Sequence, residues 1–488
     1  MNPNKNKTGD AALDSGAKSD TEYLAQLGYK QELNRVLGLV SSFGVQFSSI
    51  AVGTAMYTTL VVGFMFFGPA SFWAYIVGAF FQVFIVGFVV AELVSAYPLS
   101  GGVYQINNRI TKKPFIGWLS GWFIVVAHTV SVTAISASLV PYITGWFGMT
   151  DLSRTQSLTW TIGLIVIVGI INLLGVKVTV RVNNLGVIAE IVGLLVIVAA
   201  LVFIAHPTNT GNFFDTGGVV ATGGATMGFI MALLLPGYLI SSFDSTGNAA
   251  EETLDASRNA AKGTVYAGIA SFIAGTIMFG LLVLAIQDVP AIMESGTPAG
   301  DIMRSAVGDS ITLFFEIFAV IALFATMAIL QLTGVRVLWS QARDGQMPAS
   351  GWLRKVAKNK VPANATIVLT AFAILFAVWS SLLSVLAATA ALAWAGAYTL
   401  VVFCGLYGVV KKILPNRPFD LGRWQLPMYV TACIWSCVLI FAIIKSDPNH
   451  IGQGLAGLLA AAVVLYLLIP SSQRGKIVGV THENEVSA

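Results

Sequence analysis

The sequence predicts an all-α integral membrane protein with about twelve transmembrane helices, and three observations carry that prediction. Only 10% of the 488 residues are charged while 56% are hydrophobic, against roughly 25% charged in soluble domains. A mean hydropathy of +0.79 suits a chain whose outer surface faces lipid. Apolar runs of about 20 residues, the length a bilayer demands, recur along the whole chain. The basic residues also collect in alternate loops, as the orientation of membrane proteins requires.

Taken in order, the apolar runs place spans at 37–67, 71–97, 115–141, 158–175, 184–204 and 225–250. The rest follow at 264–286, 311–340, 364–381, 384–410, 426–445 and 452–470. With the N-terminus inside, 24 of the 27 Lys and Arg residues fall in the tails and loops of the inner side; only Arg154, Arg304 and Lys445 do not. Lys and Arg resist translocation, so this bias supports both the orientation and an even number of spans. A missed span would invert every later loop. The expected location is the plasma membrane (the cell inner membrane), with both termini cytoplasmic. Residues 1–36 form a cytoplasmic tail with no early apolar region and cleavage site, which predicts no signal peptide. Residues 471–488 form the second tail.

Composition also excludes. A net charge of +4 spread through short loops does not indicate nucleic acid. Cys404, Cys433 and Cys437 all lie in apolar stretches, predicting packing roles and neither disulfides nor a zinc site. No clustered His or acidic residues at metal spacing and no phosphate-binding loop occur, which argues against an enzyme, an ATP-driven pump or a resident cofactor.

Two spans are interrupted. In the first, Ser48-Ser49-Ile50-Ala51-Val52-Gly53-Thr54 breaks the apolar run. In the sixth, Pro236-Gly237 is followed by Ser241-Ser242-Phe243-Asp244-Ser245-Thr246-Gly247. Backbone of this kind is tolerated at membrane depth only where it lines a cavity or is buried in protein. Matching interruptions in two halves of a chain point to a transporter binding site.

Three segments carry a family resemblance. Ala91-Glu92-Leu93-Val94-Ser95-Ala96-Tyr97-Pro98-Leu99-Ser100-Gly101-Gly102-Val103-Tyr104 resembles the AE-x-x-S-x-x-P-x-SGG-x-Y segment of the amino acid–polyamine–organocation superfamily. Phe243-Asp244-Ser245 through Glu251-Glu252-Thr253 and Arg258 resembles its broken sixth helix and the stretch after it. Ser340-Gln341-Ala342-Arg343-Asp344-Gly345-Gln346-Met347-Pro348 resembles its loop after span 8. The likeness covers roughly residues 30–470 and is nearest the amino acid/choline branch. It implies a LeuT-like fold of two five-span inverted repeats, 37–204 and 225–410, with spans 11 and 12 (426–470) peripheral. It also implies a substrate held between broken helices 1 and 6, with spans 3, 8 and 10 as walls.

The implied activity is secondary active transport: a permease moving a small amino acid or amine of the γ-aminobutyrate, choline or ethanolamine class by alternating access. The implied partners are that substrate, a coupling H+ or Na+ and the lipid bilayer. A symporter, an exchanger for amino acids or polyamines, and a monomer or homodimer all remain open, and a channel is the alternative from another class. A channel would favour a repeated pore segment over two broken helices in one chain.

The candidate substrate residues are Ser49, Ile50, Gly53 and Thr54 in span 1, with Tyr238, Ser241, Ser242 and Asp244 in span 6. A half-helix starting at the cavity offers N–H groups to a carboxylate, and one ending there offers carbonyls to an ammonium group. Related permeases have more glycine in the first break. Here Gly53 stands without further glycine, which leaves room for an amine. Asp244 is a carboxylate inside a span, a functional position by default, with pairing to Arg as its structural alternative. Tyr238 stands where the family places an aromatic over the substrate. Glu190 in span 5 and His128 in span 3 are the coupling candidates. At the matching level of span 5 related permeases can carry a lysine in place of a sodium ion. A structural pair with Thr or Ser of span 8 is the alternative for Glu190, and hydrogen-bonded packing is the alternative for His128. Glu92 is expected to stabilise the inner end of span 2.

Overall fold

The computed structural model describes residues 21–22, 24–149, 151–219, 223–379, 383–446 and 448–474. Residues 1–20 and the end of the second tail, including Lys476, lie outside them. Among the described residues the structure is helical and without strands, apart from one isolated bridge between Leu37 and Thr253. The protein is an all-α multi-span membrane protein. Its long apolar helices are Pro114–Gly145, Arg154–Leu174, Val176–Ala205, Ala256–Ala285, Asp309–Arg343, Thr389–Val410 and Gly422–Ser446. The segment Leu39–Ala96, at 58 residues, is long enough for two crossings, and Gly224–Leu239, Ala363–Trp379 and Gly454–Leu468 are shorter apolar helices.

Burial sorts these helices into centre and rim. Span 3 (Pro114–Gly145) buries nearly its whole length, whereas span 5 (Val176–Ala205) presents Leu185, Ile188 and Leu195 outward. Lipid solvates such side chains as well as a protein core would, so helix association depends on close packing of small residues. Spans 5 and 8 meet at Gly186, where a Cβ would come within 2.1 Å of the Ala325 methyl. Spans 3 and 8 meet at Gly334, where a Cβ would come within 2.8 Å of His128.

The sequence reading missed several elements. Gly102–Thr111 forms a helix between spans 2 and 3, and Val289–Met293 and Pro298–Val307 form two more between spans 7 and 8. These helices are too short or too polar to register as apolar runs. Span 2 also contains a π-helical turn, Phe81–Gly87, a feature often found at functional sites. The cysteines are free, but Cys437 is exposed and not packed in the interior with Cys433.

Candidate functional site

Both predicted breaks exist. Half-helix 1a (Leu39–Ile50) ends at Ala51, whose φ of +48° is left-handed, and half-helix 1b (Val52–Phe67) starts directly after it. Span 6 ends its first half at Leu239, passes through Ser242 at φ +62°, and resumes as the short helix Ser245–Asn248. Non-glycine residues in this conformation pay a steric cost. Such strain persists where the surroundings over-determine it, and it clusters at functional sites.

The surroundings do hold these breaks. Thr326 of span 8 donates to the Ser48 carbonyl at 2.9 Å, and Gln46 Nε2 donates to the Ser242 carbonyl at 2.9 Å. Gln82, in the π-helical turn of span 2, donates to the Gly237 carbonyl at 3.2 Å. Side chains thus bond backbone carbonyls at both breaks, where helical pairing is interrupted.

A cavity of about 520 Å³ lies against the breaks. Ser49, Ile50, Tyr238, Ser241 and Ser242 line it, five of the residues singled out from sequence. Ser131 and Ile135 of span 3, Thr326 of span 8 and Trp394 and Tyr398 of span 10 are among its other lining residues. Among the described residues none that lines it is charged. Gly53, Thr54 and Asp244 are not among them. Gly53 donates its backbone N–H to Glu190 Oε1 at 3.2 Å, and Thr54 bonds the Ala51 carbonyl.

Asp244 is wholly buried beneath the cavity and, among the described residues, forms no ion pair with an arginine. It accepts from the Tyr398 hydroxyl at 2.7 Å and from Asn248 at 2.7 Å. Its contact with the cavity therefore runs through Tyr398. Glu190 is buried too, and its partner is the backbone of half-helix 1b, not a Thr or Ser of span 8. Its second oxygen has no hydrogen-bond partner among the described residues. His128 bonds the Ile124 carbonyl through Nδ1 and lies 4.8 Å from the Trp394 ring. Trp394 in turn stacks on Tyr398 at 5.7 Å. His128 thus sits one layer below the cavity floor.

Tyr398, Trp394 and Gln82 escaped the sequence reading. A signal existed for the first two: Trp394 and Tyr398 stand four apart in an alanine-rich stretch, so they share a helix face. Nothing in the sequence marks Gln82, because its role depends on the π-helical turn.

On the side of the chain termini, buried ion pairs tie span 8 to the segment after span 6. Arg336 forms a two-pronged ion pair with Glu252, at 2.7 and 3.1 Å, with both side chains buried. Arg343 pairs with Glu251 at 2.8 Å and stacks on Tyr29, its guanidinium 4.0 Å from the ring centre. Tyr29 donates to Asp344 at 3.0 Å. Burial first, and the Asp344 charge second, push the Tyr29 hydroxyl well above its ordinary pKa, so it stays a proton donor. Glu92 accepts from Arg417 at 2.7 Å and from the Leu421 amide, which ties span 2 to the loop before span 11.

Broken helices that wall a cavity within a multi-span bundle are the arrangement in which transporters hold a solute, and the class they define is the membrane transporter. A family profile described as "Amino acid permease" matches residues 37–469, and the chain belongs to that family, within the amino acid–polyamine–organocation superfamily. It is 28% identical to the "Amino-acid permease BAT1 homolog" of Oryza sativa subsp. japonica, covering 96% of this chain and 97% of that protein. It is 27% identical to the "Amino-acid permease BAT1" of Arabidopsis thaliana, over 91% and 93%. It is 23% identical to the "Thiamine transporter thi9" of Schizosaccharomyces pombe, over 93% and 86%.

Proposed function

We propose that the protein is a secondary active transporter that carries an amino acid or amine through the central cavity by alternating access, driven by a proton gradient. In this reading 37–204 and 225–410 are inverted repeats, both termini are cytoplasmic, and the membrane is the plasma membrane. The side of the buried ion pairs is then the cytoplasmic one, and the structure is outward-facing.

The substrate ammonium group meets the uncharged floor at Tyr398 and the carbonyl ends of the half-helices. Because the Tyr398 hydroxyl donates to the buried Asp244 carboxylate, its oxygen is enriched in electron density and accepts an N–H well. Asp244 is thereby a positioning residue, acting through Tyr398.

The observation that carries proton coupling is Glu190. An isolated buried carboxylate is costly, and among the described residues Glu190 has one N–H donor and no ion-pair partner. Both facts favour its neutral, protonated form in this conformation. The carboxyl accepts from Gly53 beside the break in span 1, and in this reading span 1 moves when the cavity changes sides. Proton release would leave an unpaired charge that biases this break toward a hydrated arrangement.

The test is uptake into proteoliposomes under imposed pH or sodium gradients. Glu190→Gln should abolish gradient-driven accumulation while leaving exchange of substrate across the membrane. Accumulation that survives in Glu190→Gln, or that follows sodium and ignores pH, would overturn the coupling assignment.

A further inference from the structure

Span 11 reaches the cavity. Ser436, Leu439 and Ile443 follow one another at spacings of three and four, which places them on one helix face, and all three line the cavity. Neighbouring contacts fix their position. Trp435 stacks on Phe81 at 4.9 Å and donates its indole N–H to Gln82 at 3.3 Å. Gln82 itself bonds the Gly237 carbonyl. Leu439 rests on the same glycine: a Cβ on Gly237 would come within 2.9 Å of a Leu439 methyl. The face of span 11 is therefore held against the first half of span 6, directly beside Tyr238.

This face belongs to a lobe of the cavity with its own chemistry. The floor at the breaks is polar, with Ser49, Ser241, Ser242, Tyr398 and Thr326. The lobe between half-helix 1b, span 6 and span 11 is mainly apolar, walled by Val62, Phe66, Leu234, Leu439 and Ile443, with Thr58, Thr59, Ser436 and Ser446 as the polar members of the same helices. The volume of about 520 Å³ falls in the roughly 300–1,000 Å³ range of pockets that enclose drug-sized molecules. A two- or three-carbon amine held at the floor would leave the lobe without contacts. The attraction of its walls would then go unused, because such attraction acts only over contact distance.

We propose that the transported molecule joins its charged head to a bulky apolar body, aromatic or branched aliphatic, and that Leu439, Ile443 and Ser436 of span 11 set the size of that body. This inference rests on the transport reading above and names its substrate class. The charged head is read by the broken helices and Tyr398, and the body is read by a helix outside the ten spans assigned to the repeats.

Ligand-dependent thermal stabilisation of the purified protein tests it with glycine, ethanolamine and γ-aminobutyrate against leucine, phenylalanine and phenethylamine. The bulky compounds should bind the unaltered protein at least about tenfold more tightly, the scale on which pockets discriminate by one or two carbons. Leu439→Ala should weaken the bulky compounds by roughly tenfold and leave the short ones unchanged. Leu439→Trp, which fills the lobe, should abolish binding of the bulky compounds alone; Ser436→Leu serves the same purpose if Leu439→Trp does not fold. Equal binding of short and bulky compounds, or bulky binding indifferent to every span 11 variant, overturns the proposal and places the lobe outside the substrate path. If no compound of either set binds, the amine or amino-acid reading itself falls, and this inference with it.

Discussion

The two sides of the cavity are closed by different chemistry. On the side of the termini, Arg336–Glu252 and Arg343–Glu251 are buried ion pairs with the carboxylates at 0% exposure. The segment around Tyr29 is strapped across them, its Val36 and Leu37 amides donating to the Glu252 carbonyl at 2.8 and 2.9 Å. On the opposite side, the comparable link among the described residues is Arg304 to Glu316 at 2.7 Å, with the Tyr57 hydroxyl on the same oxygen at 2.6 Å. Arg304 is 43% exposed there. A buried pair is weak evidence of net stability, but it is costly to split, because each partner would be left as an uncompensated charge. In the Arg304–Glu316 pair only the arginine is exposed, Glu316 being 9% exposed, so it is Arg304 that turns to water at little cost. The difference sets which side costs more to separate. The lightly tied side is the one toward which the cavity extends, past Met65 and Phe66 at the far end of half-helix 1b.

The sharpest way to break this contrast is to split the deepest pair. Arg336→Met leaves Glu252 buried without a partner and is expected to cost about 3–5 kcal/mol. The measurement is the apparent unfolding temperature of the purified protein in detergent. The double variant Arg336→Met with Glu252→Met should recover most of the loss, since buried pairs are often replaceable by apolar side chains of similar volume. If the double variant is no more stable than the single one, Glu252 does more than answer Arg336.

A smaller effect is expected at the strap. Asp344 accepts from Tyr29, Tyr104 and Gln105 on a single oxygen. Tyr29→Phe removes one of three donors while keeping the ring on which Arg343 stacks. Its cost should stay near the low end of a hydrogen bond to a charged group, about 1.5 kcal/mol. Hydrogen exchange should rise in residues 24–37 and not in span 3, because the loss is local. Uniform acceleration across both would mean that the strap supports the whole fold.

The legibility of the molecule in its sequence follows the range of each interaction. Spans are one-dimensional features: an apolar run and its flanking charges. The predicted segment 71–97 accordingly meets helix from Ser71 to Ala96, and 426–445 meets Gln425–Ser446. The breaks were legible because Pro236, Gly237 and the serines are themselves poor helix formers. The partners of the charged residues were not legible. Nothing near Glu190 in the sequence indicates Gly53, which is 137 positions away, and nothing near Asp244 indicates Tyr398, 154 positions on. Arg304 was read only as an exception to the charge bias, and nothing in the sequence marked Glu316 as its partner. Their pairing needs the helix Pro298–Val307, whose mixed composition hides it from a search for apolar runs.

The smallest effect is expected where the contrast is most easily sharpened. Glu316→Gln removes the charge that Arg304 meets but keeps an oxygen to accept from Tyr57. Arg304 already reaches water and Asp301, at 3.3 Å, so the stability change should stay below about 1 kcal/mol. Its local signature should be faster hydrogen exchange in Pro298–Val307, because Arg304 is the side chain that ties this helix to span 8. High salt should mimic it, since exposed charges are screened within about 10 Å at 0.1 M. The Arg336–Glu252 pair, being buried, should not respond to salt. A loss in Glu316→Gln as large as that of Arg336→Met would mean that the two sides are closed with equal strength.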